Sequence, residues 1–401
     1  MCLARTLHGH FAGERIAGRV RPVVMAHYMP WYEAQPYHAK WGWHWTMNHF
    51  RPGNLLDGRQ EAASNYRPLV GLYDSSDPDA IECQIQLMKM CGIDGVFLDW
   101  YGLEDLNDYR AIHQNCQLVI NTIKKAHMRF AIVFEDQTVQ NLILAKKYLA
   151  SEAVSRSQSM MRWLETNWFS DPNYLKLSAQ PVFLVFGPQY FKDGDFASIF
   201  RSLKSQPAVF TLSNRKQSAL GAFNWPVPQR GEAESWREVD RFIKDSKSWK
   251  QSVSVAYPRF DDIYQQAGVQ NSYGKIFDNH GETFRKTLQQ GLNSSSKILQ
   301  IATWNDWGEG TQIEPSVEFG FRDLELTQHL LHPLKSDGSP YSPQDLRMPV
   351  TLYQMRKRTH GSLEVTHQLA VASDFLLAGD TQSAQRMIAH ARLPLLSQPR
   401  Q

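Results

Sequence analysis

The sequence predicts an α/β fold of the (β/α)8 TIM-barrel type, with long active-site loops and a C-terminal helical extension. Short apolar segments alternate with segments of helical periodicity, an order typical of parallel strands joined by helices. Eight strand segments follow one another over about 300 residues, the number that closes such a barrel. An open doubly wound sheet would require a glycine-rich phosphate turn after the first strand, and residues 27–32, His-Tyr-Met-Pro-Trp-Tyr, do not form one.

Each element is predicted from its pattern of apolar residues and from the residues that begin or end it. The strands are predicted at 23–28, 95–101, 129–134, 181–186, 208–212, 222–225, 253–257 and 298–304. Helical periodicity covers 109–127, the region from 137 to about 168, 232–249 and 282–292. The helix with the clearest limits follows Asp77, a suitable N-cap residue, has Pro78 at its first position and ends at Gly92.

The 401 residues exceed what a single small core requires, and the sequence divides into three parts. We expect an N-terminal arm at 1–20, the catalytic barrel at 21–330 and a helical extension at 331–401. Within the extension, helical periodicity covers 348–358, 363–377 and 381–391.

Composition and charge argue against several classes of partner. The formal net charge is +3, and no block of Lys or Arg stands out, which argues against nucleic acid or an anionic membrane surface. No stretch approaches the roughly 20 apolar residues that span a bilayer. Residues 1–21 lack the apolar central region of a secretory signal, so the sequence as given predicts no export and a cytoplasmic location unless a leader has been removed. The oligomeric state is left open.

The cysteines and histidines do not predict a metal site or a cofactor. The four cysteines are Cys2, Cys83, Cys91 and Cys116, and no Cys/His spacing resembles a zinc site. Cys83 and Cys91 are too far apart along one helix to be joined to each other, so packed thiols are expected. We predict neither metal nor cofactor.

The segment 298–315 contains the strongest indication of chemistry. An apolar strand runs into Asp306 and Glu309, and Gly308 and Gly310 stand beside them. Carboxylates three apart in an extended strand would point to opposite faces, whereas a glycine-assisted turn brings both into one cavity. We interpret them as an acid/base pair; the alternative is two ordinary acids in a solvated loop.

Other polar and aromatic residues fall where predicted strands end. In a (β/α)8 barrel, the active site lies at the C-terminal ends of the strands. These strand-end candidates are His27, Tyr28, Asp99, Trp100, Glu135, Asp136, Trp225 and Tyr257. For Asp99 and Glu135, pairing with arginine inside the barrel mouth is the structural alternative.

Aromatic residues make up 12% of the chain and are concentrated after the first strand. Between residues 29 and 50, tryptophans and tyrosines, including Trp31 and Trp43, alternate with histidines. Flat rings with a polar edge suit the faces of sugars. The alternatives are an aromatic plug over the barrel end or a histidine metal site, but these histidines lack a helical i, i+4 pattern.

Residues 304–315, Trp-Asn-Asp-Trp-Gly-Glu-Gly-Thr-Gln-Ile-Glu-Pro, resemble the catalytic strand end of the glycoside hydrolase family 99 and family 71 group. Residues 26–32, 75–78 and 92–102 resemble bacterial members of the same group, and the similarity runs from about 23 to 325. The resemblance implies that Glu309 is the general acid. Asp306 occupies the first carboxylate position, which is Glu in family 99 and Asp in family 71.

The resemblance implies an active site but leaves the stereochemistry open. Family 99 enzymes cleave internal α-mannosidic bonds with retention and use the first carboxylate as a base on the 2-hydroxyl. Family 71 enzymes are similar to inverting α-1,3-glucanases. The residues expected to bind substrate are His27, Tyr28, Trp31, Trp43, Asp99, Trp100, Glu135, Trp225, Tyr257, Trp304, Trp307 and Glu314.

The sequence therefore predicts a glycoside hydrolase with an oligosaccharide or polysaccharide substrate, an α-linked mannoside or glucoside. Burial near Trp304 and Trp307 would keep Glu309 protonated, while Asp306 stays ionised as base. Two alternatives belong to other classes: a catalytically inert carbohydrate-binding barrel, and a scaffold in polysaccharide assembly.

Overall fold

The computed structural model describes residues 15–16, 19–56, 58–359 and 363–396. Most of the predicted N-terminal arm, with Cys2, and the last five residues lie outside the described residues. Cys83, Cys91 and Cys116 are buried free thiols.

Eight parallel strands close into a barrel. In chain order they are β1 Val23–Tyr28, β2 Gly95–Trp100, β3 Arg129–Phe134, β4 Gln180–Val185, β5 Ala208–Leu212, β6 Gly221–Phe223, β7 Val253–Ala256 and β8 Ile298–Ile301. Each strand pairs in parallel with the next. The last strand pairs with the first, from Ile298 opposite Val23 to Ile301 opposite Ala26, and this pairing closes the barrel. The predicted (β/α)8 fold is confirmed.

Helices surround the barrel and continue beyond it. They are α1 Pro78–Cys91, α2 Tyr109–Lys125, α3 Gln137–Leu144, α4 Ala153–Leu164, α5 Asp193–Phe200, α6 Glu232–Ser246, α7 Glu282–Asn293, α8 Arg322–Leu331, α9 Arg347–Arg358, α10 Leu363–Ala378 and α11 Thr381–Leu396. Shorter helical pieces are Trp43–Thr46, Ala150–Glu152, the π-helical turn Glu165–Phe169, Pro228–Arg230 and Asn279–Gly281. Among the described residues, no helix is both long enough and apolar enough to cross a membrane.

Among the described residues, four antiparallel pairings of two-residue strands lie outside the barrel, apart from isolated bridges. They join Arg15–Ile16 to Arg19–Val20, Leu55–Leu56 to Arg59–Gln60, Phe260–Asp261 to Lys275–Ile276, and Lys176–Leu177 to the start of β4.

The apolar sequence of the strands follows from their position between two packed layers. All six residues of β2 are buried, because one face of the strand lines the barrel interior and the other packs against helices. Successive side chains alternate between these two faces. This alternation decides which strand residues reach the barrel mouth.

Helix α1 has the limits that its sequence predicts. The Asp77 carboxylate accepts a hydrogen bond from the backbone N–H of Asp79 (3.0 Å), and Pro78 occupies the first turn. Gly92 ends the helix with φ of 88°, a left-handed conformation that glycine adopts without a steric penalty.

Three elements differ from the prediction. Strand β8 ends at Ile301, whereas the apolar pattern extended to residue 304; beyond Ile301 the chain folds back, and Thr303 N–H donates to the Thr311 carbonyl (3.0 Å). Helix α5 was not predicted between the fourth and fifth strands. Helix α8, after β8, was not predicted either. No helix was predicted between the fifth and sixth strands, and residues 213–220 join β5 to β6 without one.

The C-terminal extension contacts α1 through charged side chains. The Arg356 guanidinium lies 3.0 Å from Asp79 and 2.7 Å from Glu82, and the Lys357 ammonium lies 2.8 Å from Asp77 and 2.9 Å from Asp79. The predicted boundary at residue 330 falls at the end of α8. The division into three parts stays a prediction.

Candidate active site

A short turn after β8 holds both carboxylates of the predicted pair. The Thr303 hydroxyl accepts a hydrogen bond from the backbone N–H of Asp306 (2.8 Å), and Asp306 Oδ1 accepts one from the backbone N–H of Glu309 (3.1 Å). Gly310 then takes φ of 68°, and a Cβ there would lie 2.8 Å from the Asp261 carbonyl oxygen. The turn therefore needs glycine at this position to bring the two acids together.

Residues of the aromatic-rich loop after β1 fix this turn from the other side. The Asn305 side chain accepts a hydrogen bond from the Met29 N–H (2.8 Å) and donates one to the Met29 carbonyl (3.0 Å). The Tyr32 hydroxyl donates to the Asn305 carbonyl (2.9 Å) and accepts from the Trp307 N–H (3.0 Å). The acid pair and the aromatic loop thus form one hydrogen-bonded unit.

The Asp306 carboxyl is almost removed from solvent, with 5% of its surface exposed. Burial raises its pKa to about 6, because the charged form loses its hydration. The N–H of Glu309 and the charge of His44 act in the opposite direction and favour the carboxylate, whereas Asp99 adds like charge. Asp306 therefore changes charge close to neutral pH.

Glu309 has a still less favourable environment for its charge. Burial raises its pKa well above the usual range, and the charges of Asp306 and Asp262 raise it further. The Tyr264 hydroxyl lies 3.5 Å from Glu309 Oε1, and Oε2 is buried with no hydrogen-bond partner in the described part of the chain. The environment of Glu309 therefore favours its protonated form.

Two further acids lie in the same mouth. Asp99 is 2% exposed, and its Oδ1 lies 3.9 Å from His27 Nε2, so the ionisable side chain beside it is a histidine. Burial raises the pKa of Glu135 well above the usual range, and the nearby charges of Asp99, Asp136 and Glu309 add to this effect. Asp136 itself accepts the backbone N–H groups of residues 189–191 and so has a structural role.

The rings around the acids come from several loops. Trp31 stacks on His44 with ring centroids 4.1 Å apart, and Trp225 packs edge-on against His27 at 4.8 Å. Trp43 has 40% of its surface exposed. Trp304 is fully buried; its indole N–H, like that of Trp31, has no partner among the described residues.

Three predicted substrate-binding residues from the strand ends face the helices instead of the mouth. The Tyr28 hydroxyl donates to Gln84 of α1 (2.5 Å), and the Trp100 indole N–H donates to a histidine of α2 (3.2 Å). The Tyr257 hydroxyl lies 2.9 Å from the Ser235 hydroxyl of α6. The cause is strand alternation: Tyr28 and Trp100 follow His27 and Asp99, which face inward.

Trp307 and Glu314 form a buried network behind the turn. The Glu314 carboxylate accepts hydrogen bonds from Tyr73 (2.8 Å), Gln84 (2.7 Å) and the Trp307 indole (3.2 Å). Burial raises the pKa of Glu314 to about 7. These contacts hold the turn against α1, and both side chains are already occupied by protein partners.

Four residues of this site were not predicted from the sequence: Tyr32, His44, Tyr264 and Asn305. His44 and Tyr32 lie in the aromatic-rich segment, and Asn305 lies in the motif itself, so the sequence pattern could have suggested a place in the site. Their hydrogen-bond and ring partners could not be predicted from that pattern. Tyr264 lies in the long loop after β7, which has no pattern that separates it from other loop tyrosines. Among the described residues, no group of three or more His, Cys, Asp or Glu side chains could hold a metal ion.

The chain is similar to known carbohydrate-active proteins. Residues 205–327 match the family described as Glycosyltransferase WbsX. A glycoprotein endo-alpha-1,2-mannosidase of Rattus norvegicus is 21% identical over 331 residues, which cover 73% of this chain and 68% of the relative.

Solved structures share the fold. A family 99 endo-alpha-mannosidase of Bacteroides thetaiotaomicron, in complex with bis-tris propane, superposes with a TM-score of 0.55 at 15% identity and covers 94% of this chain and 99% of that one. A second structure of the same type from that organism gives 0.56 at 17% identity and covers 77% and 95%. The resemblance to the family 99 group is confirmed.

Proposed function

We propose that this chain is a glycoside hydrolase that cleaves an α-linked mannoside or glucoside in an oligosaccharide or polysaccharide, with Glu309 as general acid and Asp306 as base. One observation carries the proposal. Two carboxyls are held in a single turn at the C-terminal end of a barrel strand, and their environments separate their pKa values. Such separation assigns acid and base in glycosidases.

Glu309 is suited to protonate the departing glycosidic oxygen. Its raised pKa favours the protonated carboxyl, which is the form a general acid needs. Its Oε2 atom has no partner in the described part of the chain, so this oxygen is available to a substrate. As the leaving oxygen takes the proton, the resulting carboxylate regains the repulsion of Asp306, so it is readily reprotonated.

Asp306 is suited to accept a proton. With a pKa of about 6, it is mostly ionised at pH 7, and the N–H of Glu309 orients one of its oxygens. It would take a proton from water in an inverting reaction, or from the sugar 2-hydroxyl in the route used by family 99 enzymes. Aspartate is one methylene shorter than glutamate, so the choice depends on where the sugar lies.

The mouth also offers groups that bind hydroxyls. The Trp31 and Trp304 indole N–H groups and Asp99 Oδ1 are buried polar atoms without hydrogen-bond partners in the described residues. Leaving such atoms unpaired is costly, and a native structure tolerates them where a ligand or water completes the hydrogen bonds. Sugar hydroxyls supply both donors and acceptors. The relatives named endo-alpha-1,2-mannosidase make an α-mannoside the first substrate to test.

Glycosyl transfer is a second candidate, because residues 205–327 match a family described as a glycosyltransferase. The segment includes both Asp306 and Glu309. However, the acids of the mouth would repel the diphosphate of a nucleotide-sugar donor. A glycan donor fits this charge better, and transfer to a glycan acceptor would use the same two carboxyls.

The experiment is an assay of reducing ends released from a panel of α-mannans and α-glucans. The unaltered protein is compared with Glu309→Gln, Asp306→Asn and the control Glu364→Gln, which changes an exposed acid of α10. Hydrolysis by the unaltered protein and the control, with loss in both site variants, supports the proposal. Glycan binding without cleavage in every form would instead identify an inert binding barrel.

Analysis of the same reactions by mass spectrometry separates hydrolysis from transfer. Products longer than the substrate indicate transfer, and shorter products alone indicate hydrolysis. Proton NMR of the first-formed anomer then distinguishes retention from inversion. Absence of both activities on the whole panel would favour the scaffold interpretation.

A further inference from the structure

A cavity of about 560 Å³ lies beside the barrel mouth and has no role in the chemistry above. It is bounded by the loop after β2, by α3 and by α4. Phe134, Val139, Leu142 and Met160 line it, together with the rings of Tyr101 and Trp163. The volume lies within the range of roughly 300–1,000 Å³ typical of small-molecule sites.

The lining of this cavity is chemically different from the mouth. Phe134, Val139 and Leu142 are each at most 3% exposed, and they present hydrocarbon to the inner wall of the cavity. Polar side chains also line it: Arg156, Ser159 and Arg162 are exposed, and the buried Thr138 hydroxyl donates to the Glu135 carbonyl (2.7 Å). Buried polar atoms without a partner occur in the mouth at Asp99 and Glu309, whereas within the described residues none belongs to a side chain that lines the cavity. The mouth therefore suits hydroxyl-rich sugar, and the buried inner wall of the cavity suits an apolar group.

Tyr101 connects the two regions. It lines the cavity, and its ring centroid lies 6.4 Å from that of Trp31 in the mouth. Burial raises the pKa of Tyr101, and the charges of Asp99 and Glu135 in the mouth raise it further. A substrate could therefore occupy both regions at once.

The wall formed by α4 ends in an irregular turn. The helix passes directly into the π-helical turn Glu165–Phe169, and Trp168 of that turn packs against Trp163 of the cavity wall (5.0 Å between ring centroids). The turn places a second tryptophan behind the wall and so supports its shape.

We propose that this cavity holds an apolar aglycone, so that the substrate is a glycoside whose sugar occupies the mouth and whose hydrocarbon part lies against Leu142, Met160 and Trp163. This inference rests on the proposed function, because it names the class of molecule attached to the sugar. An alkyl chain and an aryl group share the chemistry that the cavity recognises.

Equilibrium binding tests the inference without turnover. The Asp306→Asn variant, which is expected to cleave nothing, is titrated by calorimetry with methyl, octyl and 2-naphthyl α-mannosides and the matching α-glucosides, below micelle-forming concentrations. We expect the octyl or naphthyl glycoside to bind at least about tenfold more tightly than the methyl glycoside, because several carbons leave water. The stronger of the two identifies an alkyl or an aryl aglycone.

Substitutions in the same background locate the binding. Leu103→Glu places a charge in the cavity lining at a side chain that is 38% exposed, and Leu118→Glu is the matched control, 40% exposed on α2 and outside the lining. Ser159→Trp blocks the cavity from an exposed position, so neither cavity variant should disturb the core. We expect Leu103→Glu and Ser159→Trp to abolish the higher affinity for the octyl or naphthyl glycoside and to leave the affinity for the methyl glycoside unchanged.

An equal affinity for methyl and long-chain glycosides would overturn the inference, and so would a gain that survives in both cavity variants. Because binding is measured in a variant without turnover, a failure of hydrolysis in the unaltered protein does not affect this result. Hydrolysis without any aglycone effect would refute the cavity's role and leave the proposed function standing.

Discussion

Replacement of Asp306 by asparagine should stabilise the folded protein while it abolishes catalysis. Burial raises the pKa of this carboxyl from 3.8 to about 6, so the fold binds its proton more tightly than the unfolded chain does. The stabilisation that comes from this preference is complete below pH 3.8 and is lost as pH rises through about 6. Above that pH, the buried ionised carboxylate destabilises the fold, and the uncharged asparagine does not.

The size of the effect follows from the two pKa values. At 1.36 kcal/mol per pH unit, the full cost of the buried carboxylate is about 3 kcal/mol at pH 8 and about 1.6 kcal/mol at pH 5. Asparagine keeps an oxygen to accept the N–H of Glu309, so that hydrogen bond is not lost. The free energy of unfolding of Asp306→Asn should therefore exceed that of the unaltered protein by an amount that roughly doubles from pH 5 to pH 8.

Urea denaturation of both proteins at pH 5, 6, 7 and 8 measures this difference, with Asp245→Asn on an exposed helix face as control. The control should follow the unaltered protein at every pH. A difference for Asp306→Asn that is zero, or that does not change with pH, would refute the reasoning that this carboxylate is ionised in a desolvated site.

Two further changes test the site in other ways. The acidic limb of the pH profile of kcat/KM is expected near pH 6, from the ionisation of Asp306, and Asp99→Asn should move it to lower pH. The reason is that the charge of Asp99 raises the pKa of Asp306. A pH–rate profile that does not move would contradict this coupling. Gly310→Ala should destabilise the fold by about 1–3 kcal/mol and lower kcat, because the residue has positive φ and its Cβ would lie 2.8 Å from the Asp261 carbonyl oxygen; unchanged thermal unfolding and turnover would show that the turn tolerates a side chain.

The sequence was sufficient for the elements whose signals are local. Helix α1 begins at a capping aspartate and ends at a left-handed glycine, and both signals lie within its own residues. The strands are predicted because residues buried on both faces are apolar. Strand alternation with helices then leaves few topologies, and the closed barrel is one of them.

The directions of side chains needed information that the sequence pattern does not contain. Tyr28 and Trp100 stand at strand ends, as His27 and Asp99 do, but one residue of offset turns them towards the helices. Knowing which strand residue faces inward requires the register of the whole barrel. A chemically suitable residue at a strand end is therefore a candidate for the site only when it is also known that its side chain points into the barrel and not towards the helices.

Long-range partners were the second limit. Glu314 belongs to the recognised motif, but its carboxylate is occupied by Tyr73 and Gln84, which lie more than 200 residues earlier. Tyr264 reaches Glu309 from a loop with no regular pattern. Such contacts depend on tertiary packing, which neither propensity nor spacing encodes.

The assignment of Glu309 as general acid and Asp306 as base is tested most directly by varying the leaving group. Single-turnover rates are measured for each site variant on a natural α-linked oligosaccharide and on the corresponding glycosyl fluoride, whose departure needs no protonation. We predict that Glu309→Gln loses activity on the oligosaccharide yet retains much of it on the fluoride, whereas Asp306→Asn loses both. Equal losses of Glu309→Gln on both substrates, or full activity of either variant on the oligosaccharide, would contradict the account.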